Sequence, residues 1–215
     1  PINLARDVML KSPHVMMAGE GAEKFARSLG YELVPNEYFQ TDWRREQLKK
    51  AQAKEQDGKE RTAAAPVDYF TRTLRWGTVG CVALDQAGNL AAGTSTGGMT
   101  NKKFGRIGDA PIIGAGTYAH NATCAVSATG WGEYFIRVGV ARDIAAQMEY
   151  KGTPLREAAA ATIAKVGKLG GDGGVIALDA RGNIAMEFNS PGMYRAARLS
   201  NRPAIVAIYG DESTP

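Results

Sequence analysis

An α+β fold of antiparallel sheets covered by helices is predicted by three features of the sequence. From Thr78 onward, short apolar strand-like runs are punctuated by glycine. Two of these runs carry a turn ending in Gly-Asn, in Val82–Ala92 and again in Ile176–Met186, which is a β-hairpin in outline. Between and around them lie helical patterns, grouped rather than strictly alternating with strands. The likeness of the two hairpin segments reflects shared turn geometry rather than a true repeat.

The elements follow in order. Ile2–Lys11 puts Leu4, Val8 and Met9 on one helical face, and Pro13 ends the helix. Val15–Ala18 reads as a short apolar strand, and Gly19-Glu20-Gly21 leads into a helix ending near Gly30. Thr41-Asp42 is placed to cap a polar helix from Trp43 to about Lys54. Glu55–Ala65 has little to bury, so a linker is expected over about 41–77. Glu133–Tyr150 reads as one helix, with Phe135, Val138, Ile144 and Met148 among its apolar positions, and Pro154 starts another running to about Val166. Ala204–Tyr209 closes the chain as a strand. The organisation expected is one domain in two segments, 1–77 and 78–215.

Length and composition bound the function. The 215 residues suffice for one substantial domain or part of a larger one, and 44% hydrophobic with 22% charged residues is ordinary globular composition. No apolar run approaches the roughly 18 residues of a membrane span. The net charge of +4 suits an acidic substrate without demanding one. Much of the excess lies between Arg44 and Arg75, interleaved with acids, which is the pattern of a solvated segment rather than a nucleic-acid footprint. Cys81 and Cys124 both fall in apolar strand-like runs, so two buried thiols in a reducing cytoplasm are expected. His14 and His120 have no partners at ligand spacing, so no metal is expected.

The chemistry concentrates around Gly77-Thr78-Val79-Gly80. A small residue and a threonine stand directly before a strand-like run and directly after the weakly structured segment, where cleavage would leave Thr78 as a new N-terminus. A threonine hydroxyl is a poor nucleophile alone, but an N-terminal threonine carries its own base, an α-amino group with pKa of about 7.7–8.0. An isolated Gly-Thr would merely open a strand. Here it is followed by Thr94-Ser95-Thr96-Gly97-Gly98-Met99-Thr100-Asn101-Lys102, by Gly105-Arg106-Ile107-Gly108-Asp109, and by Ala128-Thr129-Gly130-Trp131-Gly132-Glu133.

In this order the four elements resemble the plant-type asparaginases, or isoaspartyl peptidases, a family of N-terminal-nucleophile hydrolases. The resemblance runs from about Ile2 to about Tyr209, with a weak middle between Val34 and Trp76. It implies a four-layer αββα sandwich and hydrolysis of side-chain amides in asparagine and β-aspartyl dipeptides. Thr78 would be the nucleophile twice, first on the Gly77 carbonyl during self-cleavage and then on substrate. Thr96 would help orient it, and Thr129 and Gly130 would form the oxyanion hole. Arg106 and Asp109 would hold the free amino-acid end of the substrate, with Gly130 and Gly132 contributing backbone contacts. No cofactor is implied. The family pattern has considerable sequence before the position of Pro1, including a loop for a structural monovalent cation, and that loop is not within this chain. A homodimer of cleaved protomers, with neither nucleic acid nor membrane as partner, is implied as well. Gly77 and the lack of paired cysteines argue against the lysosomal glycosylasparaginase branch.

Other readings compete. Gly93-Thr94-Ser95-Thr96-Gly97 fits the G-x-S-x-G elbow of a serine esterase using Ser95, with Asp109 and His120 following in the chain order of that fold. An elbow must run straight into a helix, whereas Gly98, Asn101 and Gly105 interrupt the chain after Ser95. Gly93 and Gly98 have phosphate-loop spacing, but Met99 stands where the lysine belongs. A non-enzyme alternative is a family-like scaffold that never matures and serves a structural or interaction role. Thr96 and Thr129 could equally be ordinary strand threonines, and Arg106 with Asp109 a surface ion pair.

Overall fold

A computed structural model describes residues 1–56, 77–200 and 202–212. The chain divides into two compact units, Pro1–Asp68 with Thr100–Phe104, and Tyr69–Met99 with Gly105–Pro215.

In the smaller unit, α1 (Ile2–Lys11) has the predicted bounds, and the Ser12 hydroxyl closes it by donating to the Val8 carbonyl at 2.8 Å. Helix α2 (Gly19–Ser28) is joined to α1 by Tyr31, whose hydroxyl donates to Asp7 at 2.9 Å. Helix α3 (Asp42–Gln56) is capped as expected, with the Arg44 N–H donating to the Thr41 hydroxyl at 3.3 Å. Near its end, Glu55 accepts from Asn101 at 3.0 Å and pairs with Lys103. The strand expected at Val15–Ala18 is absent. Val15 and Met16 are exposed, and no described strand lies beside them to complete a ladder. The expected linker is helical over its first part, and its remainder, 57–76, lies outside the described residues.

The larger unit holds the antiparallel sheets. Strands β1 (Val79–Leu84) and β2 (Leu90–Ser95) form one hairpin. Strands β3 (Thr117–Ala119), β4 (Cys124–Gly130), β5 (Gly173–Asp179) and β6 (Ile184–Phe188) form a four-stranded sheet in that order. Strands β7 (Gly192–Ala197) and β8 (Ile205–Tyr209) pair separately, and the buried Arg195 ties them by donating to the Tyr209 carbonyl at 2.8 Å. Both predicted hairpins form, and for the same reason. Asp85 accepts from the N–H groups of Ala87 and Asn89 and from the Asn89 side chain, at 2.8–2.9 Å. Asp179 makes the matching three bonds to Arg181 and Asn183, also at 2.8–2.9 Å.

Strand β4 is covered on both faces. Because side chains alternate along a strand, Cys124, Val126, Ala128 and Gly130 share one face and Ala125, Ser127 and Thr129 the other. The first face meets helices α4 (Gly132–Val138) and α5 (Val140–Lys151), while α6 (Leu155–Lys168) lies on β5 and β6, with Phe135, Val140, Ile144 and Val166 fully buried in the layer. The second meets the β1–β2 hairpin. There Gly80 lies so close to β4 that a Cβ on it would fall 2.1 Å from the Ser127 hydroxyl. The same hydroxyl shares a 2.7 Å hydrogen bond with Thr94 on β2.

Two further expectations are corrected. The single helix over Glu133–Tyr150 is two, broken at Gly139, whose φ of 64° is left-handed and ends α4 before α5 begins. Cys81 is exposed rather than buried, because β1 turns Gly80, Val82 and Leu84 toward β4 and Cys81 away from it. Cys124 is buried as expected, and burial pushes its thiol up to about 11.

Candidate active site

Three of the four motifs lie at strand ends in the larger unit, and the fourth reaches them from a loop. Thr78 immediately precedes β1, and Thr96 immediately follows β2, which is paired to β1 along its whole length. Thr129 and Gly130 end β4, and Gly132 opens α4 just beyond. Arg106 and Asp109 come from the loop between β2 and β3. Gly77, Thr78, Thr96, Arg106, Asp109 and Gly130 line one small cleft of about 20 Å³, together with Gly98, Met99 and Gly108. Thr129 and Gly132 are adjacent to that lining rather than part of it. A larger cavity of about 350 Å³ lies around Phe188 and Arg195 and contains none of these motifs.

The backbone at Gly130 depends on glycine. Its φ is +151°, and a Cβ there would meet the Asp172 carbonyl at 2.4 Å and the Phe135 ring at 2.6 Å. The conformation turns the chain from β4 into α4, and the Trp131 N–H donates back to the Asp172 carbonyl at 3.0 Å. Trp131 is buried and packs edge-on against Tyr134, with ring centroids 5.3 Å apart. Thr96 is exposed, and its hydroxyl oxygen accepts the Gly98 N–H at 3.1 Å, which leaves its own hydrogen free to donate.

Arg106 and Asp109 are not paired with each other in the manner of a surface ion pair. Arg106 donates Nε–H and Nη2–H to the two oxygens of Glu133, at 2.8 and 2.7 Å. This hydrogen bonding holds the Glu133 carboxyl below the usual carboxylate range, against the opposing effect of burial. Asp109 is 8% exposed, and its Oδ2 has no hydrogen-bond partner among the described residues. Desolvation raises its carboxyl from an ordinary 3.8 to about 6, only partly offset by its own backbone N–H and by Arg106. Gly132 lets both residues approach, since a Cβ there would fall 2.8 Å from Asp109 Oδ1 and 2.9 Å from Arg106 Nη2.

Glu133 is the residue to which sequence reasoning gave no role. The available signal was an acid next to Gly132 in the first turn of a helix. The elbow reading of Ser95 has no support in the fold, because Ser95 ends an antiparallel strand and no helix follows it. Among the described residues, no helix is long and apolar enough to cross a membrane, and no cluster of three or more His, Cys, Asp or Glu could hold a metal ion.

A family model described as asparaginase matches residues 1–208. The chain is 52% identical to an isoaspartyl peptidase of Escherichia coli over 99% of its own length and 65% of that protein's. It is 51% identical to an isoaspartyl peptidase of Salmonella typhimurium, covering 97% of this chain and 66% of that protein. A probable isoaspartyl peptidase/L-asparaginase 2 of Arabidopsis thaliana is 44% identical, covering 97% of this chain and 68% of that protein. The chain thus spans about two thirds of the length of these relatives. With the family model matching nearly every residue and the motifs meeting at one cleft, the chain belongs to the asparaginase family.

Proposed function

We propose that the chain carries the catalytic segment of an amidohydrolase that cleaves the side-chain amide of asparagine and of β-aspartyl dipeptides, using Thr78 as an N-terminal nucleophile. The observation that carries this reading is Asp109. A buried carboxylate with an unpartnered oxygen is costly, and here it stands in the cleft lined by Thr78 and Arg106. A substrate bearing both an α-ammonium and an α-carboxylate supplies the missing partner to Asp109 and a bidentate anion to Arg106. Its side-chain carbonyl is then directed at Thr78.

Maturation comes first. The Thr78 hydroxyl attacks the Gly77 carbonyl, the peptide C–N bond breaks as the Thr78 nitrogen takes up a proton, and water hydrolyses the resulting ester. The freed amine then accepts the proton of the same hydroxyl as it attacks the substrate amide. Thr129 and the Gly130 N–H stabilise the oxyanion, a contribution worth about 2.7–4 kcal/mol per donor in comparable sites. The leaving ammonia or amino acid departs with the proton, and water releases aspartate. Thr96 donates its free hydroxyl hydrogen toward the nucleophile. The relatives' names, isoaspartyl peptidase and L-asparaginase, support the substrate class. Both cysteines are free thiols, which supports a reducing, cytoplasmic setting.

The test is direct. The purified chain is incubated, resolved by denaturing electrophoresis, and assayed for ammonia from asparagine and amino acid from a β-aspartyl dipeptide. Two bands with a new N-terminus at Thr78 and turnover of either substrate support the reading. One uncut band without turnover favours the scaffold alternative. The solution mass tests the implied dimer of cleaved protomers.

A further inference from the structure

The roles assigned to the cleft residues leave Glu133 without one. Its carboxylate takes two charge-assisted hydrogen bonds from Arg106, across 27 residues of chain. Arg106 lines the cleft, whereas Glu133 does not. A guanidinium can grip a carboxylate through either of two edges, Nε with Nη2 or Nη1 with Nη2. Glu133 occupies the first edge. Nη1 makes no hydrogen bond among the described residues and lies beside Gly108, another residue of the cleft wall, where a Cβ would come within 2.7 Å of it.

We propose that Glu133 is a positioning and specificity-determining residue, which clamps the outer edge of Arg106 so that only its Nη1 edge is offered to the α-carboxylate of the substrate. The inference rests on the amidohydrolase function proposed for the cleft. An acid in the first turn of a helix is favoured by the helix dipole alone, which would account for a glutamate but not for its two matched bonds to a cleft residue. A glutamate that merely filled the substrate's place would sit in the cleft lining, and this one stands behind Arg106.

The full chain and its Glu133→Gln and Glu133→Ala variants are assayed on two substrates: a β-aspartyl dipeptide, and the same dipeptide with its aspartyl α-carboxylate capped as an amide. L-Aspartate binding is measured in parallel by calorimetry. Loosening Arg106 should raise KM for the free-carboxylate substrate about tenfold, with kcat little changed, and should weaken L-aspartate to a similar degree. Activity on the capped dipeptide should be unaffected, which a general structural defect would not allow. An unchanged or lowered KM, or equal losses on both substrates, overturns the inference. Glu133→Gln keeps the side-chain volume and serves if Glu133→Ala fails to fold. A wild-type chain that neither turns over substrate nor binds L-aspartate refutes the function itself. That result is distinct from an active wild type indifferent to Glu133.

Discussion

Arg106 and Glu133 meet edge to edge through two hydrogen bonds of 2.8 and 2.7 Å, which leaves Asp109, three residues along the loop, in the same cleft without a partner for its Oδ2. The positive and negative elements of the cleft are thereby kept from neutralising one another. In the function proposed for the cleft, each is available to the opposite charge of a zwitterionic amino-acid end.

Thr78→Ala should remain a single uncut chain with no amidase activity, because it removes the hydroxyl on which both proposed reactions depend. Thr78→Ser keeps a hydroxyl and, after cleavage, an amine, so it should mature. N-terminal sequencing of the incubated protein provides the readout. A cut elsewhere than before residue 78, or activity in the alanine variant, would sink the mechanism.

Arg106→Ala should lower kcat/KM on β-aspartyl substrates by roughly 30-fold or more, since removing one partner of a desolvated charge pair costs about 2–5 kcal/mol. Self-cleavage should be spared, because the Gly77–Thr78 bond presents no free carboxylate. Comparing the rate of maturation with the rate of turnover separates the two effects.

Asp109 makes activity depend on pH in a stated direction. Only its ionised form binds an ammonium, and its carboxyl is raised to about 6. Catalytic efficiency should therefore climb as pH rises through about 6, and Asp109→Asn should abolish that limb along with most activity. Stability runs the other way. A carboxyl raised from 3.8 in the unfolded chain imposes no penalty below about pH 4, and its penalty grows until pH passes about 6. At 1.36 kcal/mol per pH unit the full effect is about 3 kcal/mol. Asp109→Asn should thus raise Tm at pH 7 relative to wild type and leave it unchanged near pH 4.

Gly80→Ala should destabilise the protein by about 1–3 kcal/mol in urea titration, the usual cost of overpacking. The new methyl would collide with the Ser127 hydroxyl at 2.1 Å and its Cβ at 2.9 Å. A companion Ser127→Gly should recover part of the loss. Because Thr78 stands two residues before Gly80, turnover should fall as well, and a variant with unaltered stability would show that β1 and β4 are not in close contact.

What could be read from the sequence was local chemistry. The Gly-Asn turn endings marked both hairpins, Thr41 announced the start of α3, and four ordered motifs pointed to Thr78, Arg106, Asp109 and Gly130 in one place. What could not be read depended on neighbours. Val15–Ala18 has a strand-like composition, yet a strand requires another beside it. Cys81 follows the alternation of β1, and only the position of β4 decides which side is inward. Gly139 interrupts a continuous apolar helical pattern through backbone handedness alone, which hydrophobic spacing does not register. The Arg106–Glu133 pair joins residues 27 positions apart, beyond the reach of any local pattern.

The paired aspartate turns also bear on the order in which this chain folds. Each is closed by bonds confined to five residues, Asp85–Asn89 and Asp179–Asn183, so each hairpin forms without waiting for distant chain, on a scale of about 1–10 μs. The pairing of β4 with β5, by contrast, brings Gly130 beside Gly173 and Cys124 beside Asp179, across the three helices between them. Loop closure of that length is the slow step for an antiparallel sheet. The β5–β6 hairpin is thus prefabricated, and the rate of folding should be set by how quickly α4, α5 and α6 bring it to β4.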